Sequence, residues 1–144
     1  MKKIFLALAC VFALAASACA DSYQPITREQ LPAKAQTFLS TYFLDAQVSL
    51  VRKEVDVMEM NYDVLFMDGS KVEFDRKGNW TEIDCLSHSL PVGIVPEAIS
   101  KVINTHYPKA QVIKIERDHR EIDVTLSNRV ELTFNKHLQL IDID

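Results

Sequence analysis

The chain has 144 residues, 48% of them hydrophobic, and its 16 Lys and Arg against 20 Asp and Glu give a formal net charge of −4. That balance excludes the clustered basic footprint of a nucleic-acid binder. With only three glycines, Gly69, Gly78 and Gly93, neither a phosphate loop nor a dinucleotide fingerprint can be written.

Lys2 and Lys3 precede an apolar run, Ile4 to Ala16, and the small residues Ser17-Ala18-Cys19-Ala20. This charged, apolar, small-residue order is that of a secretory signal and is too short for a membrane span. Residues 1–20 are therefore assigned to a signal peptide, and the chain is expected to be exported to the periplasm or the extracellular space. Two exits stay open: cleavage before Asp21 after Ala18-x-Ala20, or lipidation of Cys19 as an envelope anchor. Ala16, rather than Leu, three residues before that cysteine favours cleavage. Loss of the two leader lysines leaves 14 basic and 20 acidic residues, a formal charge of −6. Ordinary cleavage also leaves Cys85 as the single cysteine, so a chain in an oxidising compartment must rely on its core rather than a disulfide.

Residues 22–30 are polar and read as a loop-like arm. In the following stretch, 31–43, Leu31, Ala35, Phe38, Leu39 and Tyr42 recur at helical spacing, and Pro32 suits a first helical turn, where its missing N–H costs nothing. From Met58 to Met67 the period changes to two: Met58, Met60, Tyr62, Val64 and Phe66 alternate with Glu59, Asn61, Asp63, Leu65 and Met67. Asp68-Gly69 signals a tight hairpin, Lys71 to Asp75 is the next strand, Gly78 marks another reversal, and Trp80 to Asp84 is a further strand.

The same order then recurs. Leu31–Arg52 runs without gaps against Val95–Glu116, with Pro32/Pro96, Thr41/Thr105, Ala46/Ala110, Gln47/Gln111 and Val48/Val112 identical. Tyr62–Asp84 runs against Ile122–Asp144, with Asp63/Asp123, Val64/Val124, Phe74/Phe134, Ile83/Ile143 and Asp84/Asp144 identical, provided the first copy carries four extra residues before Tyr62. In the second copy Asn128 and Asn135 stand near the turns, where asparagine replaces glycine for positive φ. The expected organisation is a first unit over 21–84 with its arm, a connector over 85–94 and a second unit over 95–144. The expected fold is α+β, a tandem repeat of a helix plus about four antiparallel strands. Side by side, the units form one curved sheet of about eight strands, with both helices on one face and the other face open.

A leading signal, helices opening on Leu-Pro and Val-Pro, the stretch "YDVLFMDGSKVEFDRKGNW", an "EID" ending and the tandem copy together resemble the PepSY-like proteins described as similar to β-lactamase-inhibitor proteins. The resemblance covers nearly all of the chain after residue 20, and its motifs are structural. It implies two α-β4 units in the cell envelope, no cofactor, and inhibition of an extracytoplasmic enzyme through the open sheet face and loops. The chain lacks the disulfides of the secreted lactamase inhibitors.

No Gly-x-Ser-x-Gly and no His-Glu-x-x-His occurs, and no paired acid–base or nucleophile constellation emerges, so the chain is read as non-enzymatic. His88, His106, His119 and His137 are scattered over the connector, the second helix and two turns, which argues against three converging on a metal. Glu82, Asp84, Asp142 and Asp144 lie where strands end and could attract a hard cation, yet no spaced calcium loop accompanies them. Cys85 reads as a buried or tolerated thiol, and "NWT" at 79–81 is a bare glycosylation pattern behind a bacterial-type leader. The candidate partner-binding residues are Leu65 and Met67, apolar on the face opposite Val64 and Phe66, and Trp80 beside a turn, either an interface anchor or a sheet-packing residue. The function expected is binding of another envelope or extracellular protein, with steric occlusion of an enzyme as its mechanism. The alternative is a small-ligand carrier or sensor with a pocket near Cys85–Ile94.

Overall fold

The computed structural model describes residues 22–144; the segment read as a signal peptide, with Cys10, Cys19 and the choice between the two exits, lies outside the described residues. The alternating segments form one antiparallel sheet of nine strands whose spatial order is their chain order. They are β1 (Ser22–Pro25), β2 (Val48–Val55), β3 (Met60–Phe66), β4 (Lys71–Asp75), β5 (Trp80–Asp84), β6 (Val112–Arg117), β7 (Glu121–Leu126), β8 (Glu131–Asn135) and β9 (Leu140–Ile143). Helix α1 (Ala33–Tyr42) precedes β2 and helix α2 (Glu97–His106) precedes β6. The sheet thus has one strand more than the sequence implies: Ser22–Pro25, read as a loop-like arm, pairs antiparallel with β2 over Arg52–Val55.

Both helices start on the prolines read from the sequence. Pro32 and Pro96 sit at the N-caps with φ −53° and −54° and ψ 142° and 141°. Ala35 and Leu39 of α1 and Ile99 and Ile103 of α2 are buried in one core with the inward side chains of the sheet. That core has a register axis, since Val51, Val64, Val72, Ile83, Ile115, Val124, Leu132 and Ile143 are successive cross-strand partners from β2 to β9. Six of them, Val64 through Leu132, are wholly inaccessible to solvent, each contributing about 1.5–3 kcal/mol of burial. Ile143, at the far edge, remains 53% exposed.

The four extra residues of the first half are used in the ladder, not in the loop. Both hairpins close on an Asp-x-x-Glu tip, with the Asp56 N–H donating to Glu59 O and the Asp118 N–H to Glu121 O. The first hairpin is longer because it adds two cross-strand pairs, Glu54 with Asn61 and Val55 with Met60. This added length is part of what β1 lies on, through Ser22 with Val55 and Tyr23 with Glu54.

Positive φ falls elsewhere than on the asparagines. Gly69 (φ 88°) and Gly78 (φ 84°) take it in the first half, and Arg129 (φ 73°) and Leu138 (φ 61°) take it at the matching positions of the second. Asn128 and Asn135 instead accept backbone hydrogen bonds with their Oδ1 atoms, from Val130 N–H and from His137 and Gln139 N–H. Asp68 and Asp75 do the same for Ser70, and for Lys77 and Asn79. The short side chain braces the turn while its neighbour bears the left-handed backbone. Gly78 has a second constraint: a Cβ there would lie 2.9 Å from both the Ala35 nitrogen and Pro32 Cβ at the start of α1. Gly78→Ala is expected to lower stability by about 2 kcal/mol or more, from left-handed strain plus the clash with α1, as read by urea unfolding.

Candidate functional site

On the face away from the helices, the residues one step along from the core row form a second row. Arg52, Asp63, Glu73, Glu82, Glu116, Asp123, Thr133 and Asp142 are successive cross-strand partners over β2 to β9. Carboxylates thus stand opposite one another on five adjacent strands, an arrangement that destabilises a sheet unless cations intervene.

In the first half they do. Arg52 Nε lies 2.6 Å from Asp63 Oδ2, and the guanidinium sits under the Tyr23 ring at 4.1 Å from its centroid. The hydrogen bond to Asp63 raises the Arg52 pKa further above its ordinary value. Lys71 Nζ reaches Glu73 at 2.7 Å and Glu82 at 3.3 Å. Burial works against the Lys71 ammonium, but Glu73 and Glu82 outweigh it and its pKa rises. Lys114 stands at 3.6 Å from Glu82 and 3.7 Å from Glu116, beyond hydrogen-bonding distance. Charge compensation therefore weakens from β2 towards β9. Asp63 is itself 3% exposed, and its Oδ1 is buried with no hydrogen-bond partner.

Leu65 and Met67 lie on this open face, as alternation places them. Leu65 is half-buried, and Met67, just past the end of β3, is 68% exposed. Leu50, the cross-strand partner of Leu65, joins them to make an apolar corner beside the charged row. Leu50 shares the face of Arg52, two residues on, whereas counting from Val48 misplaces it because the register shifts between Val48 and Leu50. Trp80 is not with them. The register shift between Glu73 and Phe74 turns it to the helix side opposite Phe74, where it packs on the core. There the Arg117 guanidinium covers its ring at 3.6 Å, and Arg117 Nε donates to its carbonyl at 2.8 Å.

The remaining candidates do not converge. Among the described residues, no three His, Cys, Asp or Glu side chains are grouped to hold a metal ion. Asp84 accepts from the Leu86 N–H and pairs across strands with Lys71 and Lys114, far from Asp142 at the β9 edge. The cleft beside the connector, between Ser89–Val95 and α2, measures about 280 Å³, short of the usual ligand-pocket range of roughly 300–1,000 Å³. Cys85 is buried, and that burial, above all, pushes its thiol pKa up.

Comparison with known proteins places this arrangement. The family model described as "Putative beta-lactamase-inhibitor-like, PepSY-like" matches residues 60–142. A crystal structure from Bacteroides thetaiotaomicron, described as a "putative calcium-regulated periplasmic protein", is 49% identical with a TM-score of 0.83, over 85% of this chain and 96% of that one. A periplasmic protein of the DUF2874 family from Bacteroides vulgatus is 46% identical with a TM-score of 0.84, over 87% of this chain and 98% of that one. A second B. vulgatus periplasmic protein, of unknown function, is 31% identical with a TM-score of 0.79, over 86% and 98%. No curated protein matches the chain. The export read from the leader agrees with the periplasmic location of all three neighbours, and no helix among the described residues is long and apolar enough to cross a membrane.

Two outcomes follow from this geometry. Arg52→Ala strands a buried carboxylate and should cost about 2 kcal/mol in urea unfolding, whereas Arg52→Met combined with Asp63→Leu should recover most of that loss. In the chain from Asp21, Cys85 should react with a thiol reagent at neutral pH about 100-fold more slowly when native than in denaturant, because burial both hides the thiol and keeps it protonated.

Proposed function

Because this chain belongs to the PepSY-like, β-lactamase-inhibitor-like family, we propose that it is a periplasmic, non-enzymatic module that binds another envelope protein through the open face of its sheet. The two halves are, on this reading, copies of one α-β4 unit, 21–84 and 95–144, joined by the connector 85–94 after a signal peptide over 1–20. The single observation that carries the proposal is the open face itself. It is continuous across β2–β9, bears no covering helix among the described residues, and sets an apolar corner of Leu50, Leu65 and Met67 beside a row of charges. Apolar anchors within a polar surround are the usual composition of an interface.

Occlusion of an enzyme's site needs no reactive residue. It requires only that the sheet present a rigid surface, which a ladder buried on its other side supplies. The inhibitor reading draws its support from the family's description, and the identity of the enzyme lies with the partner.

The test uses the chain from Asp21 as bait against the envelope fraction of the producing cell, beside a Leu65→Asp/Met67→Asp variant whose circular dichroism matches the parent. One enzyme captured by the parent, lost by the variant and inhibited by the parent in a turnover assay is the expected result. Equal recovery by both baits would exclude this face.

A further inference from the structure

On the helix side of the sheet, the side chains around Trp80 leave hydrogen-bond donors without acceptors. Arg52 and Arg117 each stack on an aromatic ring, but they are partnered differently. Arg52, under Tyr23, has the Asp63 carboxylate at 2.6 Å. Arg117, 3.6 Å from the Trp80 ring centroid, spends Nε on the Trp80 carbonyl. Its Nη atoms have no hydrogen-bond or ion-pair partner among the described residues. Nor are they sealed from solvent, since among the described residues the wholly buried side-chain polar atom without a partner is Asp63 Oδ1. Arg117 is half-buried, and burial pushes its pKa down while the unpaired charge of Asp75 acts the other way.

Arg117 lines a cleft of about 210 Å³ between α1, the β4–β5 turn and the end of the connector. Phe38, Tyr42, Trp80 and Ile94 give it apolar walls, and Gly78 and Gly93 border it without side chains. The charged residues in the lining are Lys34 and Arg117, both cations, and neither has an ion pair among the described residues although acids outnumber bases in the chain. The acceptors beside them are already used, Asn79 Oδ1 by Lys34 Nζ and the Trp80 carbonyl by Arg117. The Tyr42 hydroxyl, 3.9 Å from where a Gly93 Cβ would lie, makes no hydrogen bond among the described residues. An apolar cleft thus presents a guanidinium edge, an ammonium and a hydroxyl, with no carboxylate in its lining.

We propose that this cleft binds a carboxylate carried on a small apolar group, with the carboxylate on the Nη edge of Arg117 and the apolar body against Phe38, Tyr42 and Trp80. The site lies on the helix side, so it does not rest on the open-face reading above. A forked guanidinium edge matches the two oxygens of a carboxylate, and stacking on Trp80 holds its plane before a ligand arrives. The volume holds the occupant to a small acid, below the roughly 300–1,000 Å³ of drug-sized ligand sites. A free acid and the C-terminal residue of a polypeptide both present this chemistry.

The probe is 3-cyclohexylpropionate, titrated at neutral pH into the isotopically labelled chain from Asp21 and followed by amide chemical shifts and by the emission of Trp80, the single tryptophan. The expected result is saturable binding with Kd below about 1 mM and shifts confined to α1, the β4–β5 turn, Gly93–Ile94 and Arg117. The neutral 3-cyclohexylpropionamide should bind the same chain at least about tenfold more weakly, a comparison that needs no variant. Arg117→Gln should lose about tenfold in affinity by amide shifts, while Lys136→Gln, which removes an exposed charge elsewhere, should stay within about twofold of the parent. Acetyl-Ala-Ala-Phe with a free carboxylate separates the sources: tighter binding than the small acid assigns the site to a polypeptide end, and weaker binding assigns it to a free acid. The proposal is overturned if acid and amide bind alike, if nothing saturates by about 10 mM, or if Arg117→Gln with the parent's circular dichroism binds as the parent does.

Discussion

Everything in this structure depends on three residue pairs between β5 and β6: Glu82 with Glu116, Ile83 with Ile115, and Asp84 with Lys114. They join two helix-and-strand layers, each too small to bury a secure core, into one sheet. Ile83 and Ile115 are wholly buried there, so the apolar row beneath α1 continues beneath α2 without a gap. The same three pairs also set the charge problem of the other face, because register that aligns isoleucines on one side aligns Glu82 with Glu116 on the other. Lys71 and Lys114, flanking Glu82, are the local answer. The connector follows the junction, with the Cys85 N–H donating to Ile113 O and the Leu90 N–H to Val112 O. The backbone of Cys85 thus ties the start of the connector to the junction.

Much of this was legible in the sequence because it is local. Pro32 and Pro96 mark helix starts by their fixed φ, Asp68-Gly69 marks a hairpin, and period-two alternation sorts Val64 from Leu65. What escaped is what depends on distant partners. Ser22–Pro25 has no alternation to read; it is a strand because the outer edge of β2 pairs with it over Arg52–Val55. The place of Trp80 likewise depends on register. Counting by twos from buried Ile83 puts it on the open face, but the bulge opposite Glu73 and Phe74 adds a residue and returns it to the core side. Leu140 is placed opposite Phe134 by the same irregularity in β9.

The candidate residues divide in the same way, into those set by local pattern and those set by register. Alternation sorts Leu65 and Met67 from buried Val64 and Phe66, and Met67 is 68% exposed. The transverse acidic row could not be read along the chain, because its members come from strands far apart in sequence and meet only through register. Arg52 and Asp63 are separated by a whole hairpin, yet their Nε and Oδ2 atoms approach to 2.6 Å. A charged surface is, in this fold, a property of pairing rather than of any motif.

The lengthened first hairpin has an architectural consequence. By supporting β1 it moves one edge of the sheet out to a four-residue strand, beyond which the Ile26 N–H still donates to Val51 O. The opposite side ends at β9, and Ile143 carries the apolar row to that edge with half its surface uncovered. Ile83 holds the matching place in β5, where β6 and the second helix cover it completely. The two edges are therefore unlike: one is a short strand whose four residues are all exposed, whereas the other ends the buried apolar row on a half-covered isoleucine. Aspartates flanking Ile143 are the kind of residues that keep such an unfilled side from recruiting strands indiscriminately.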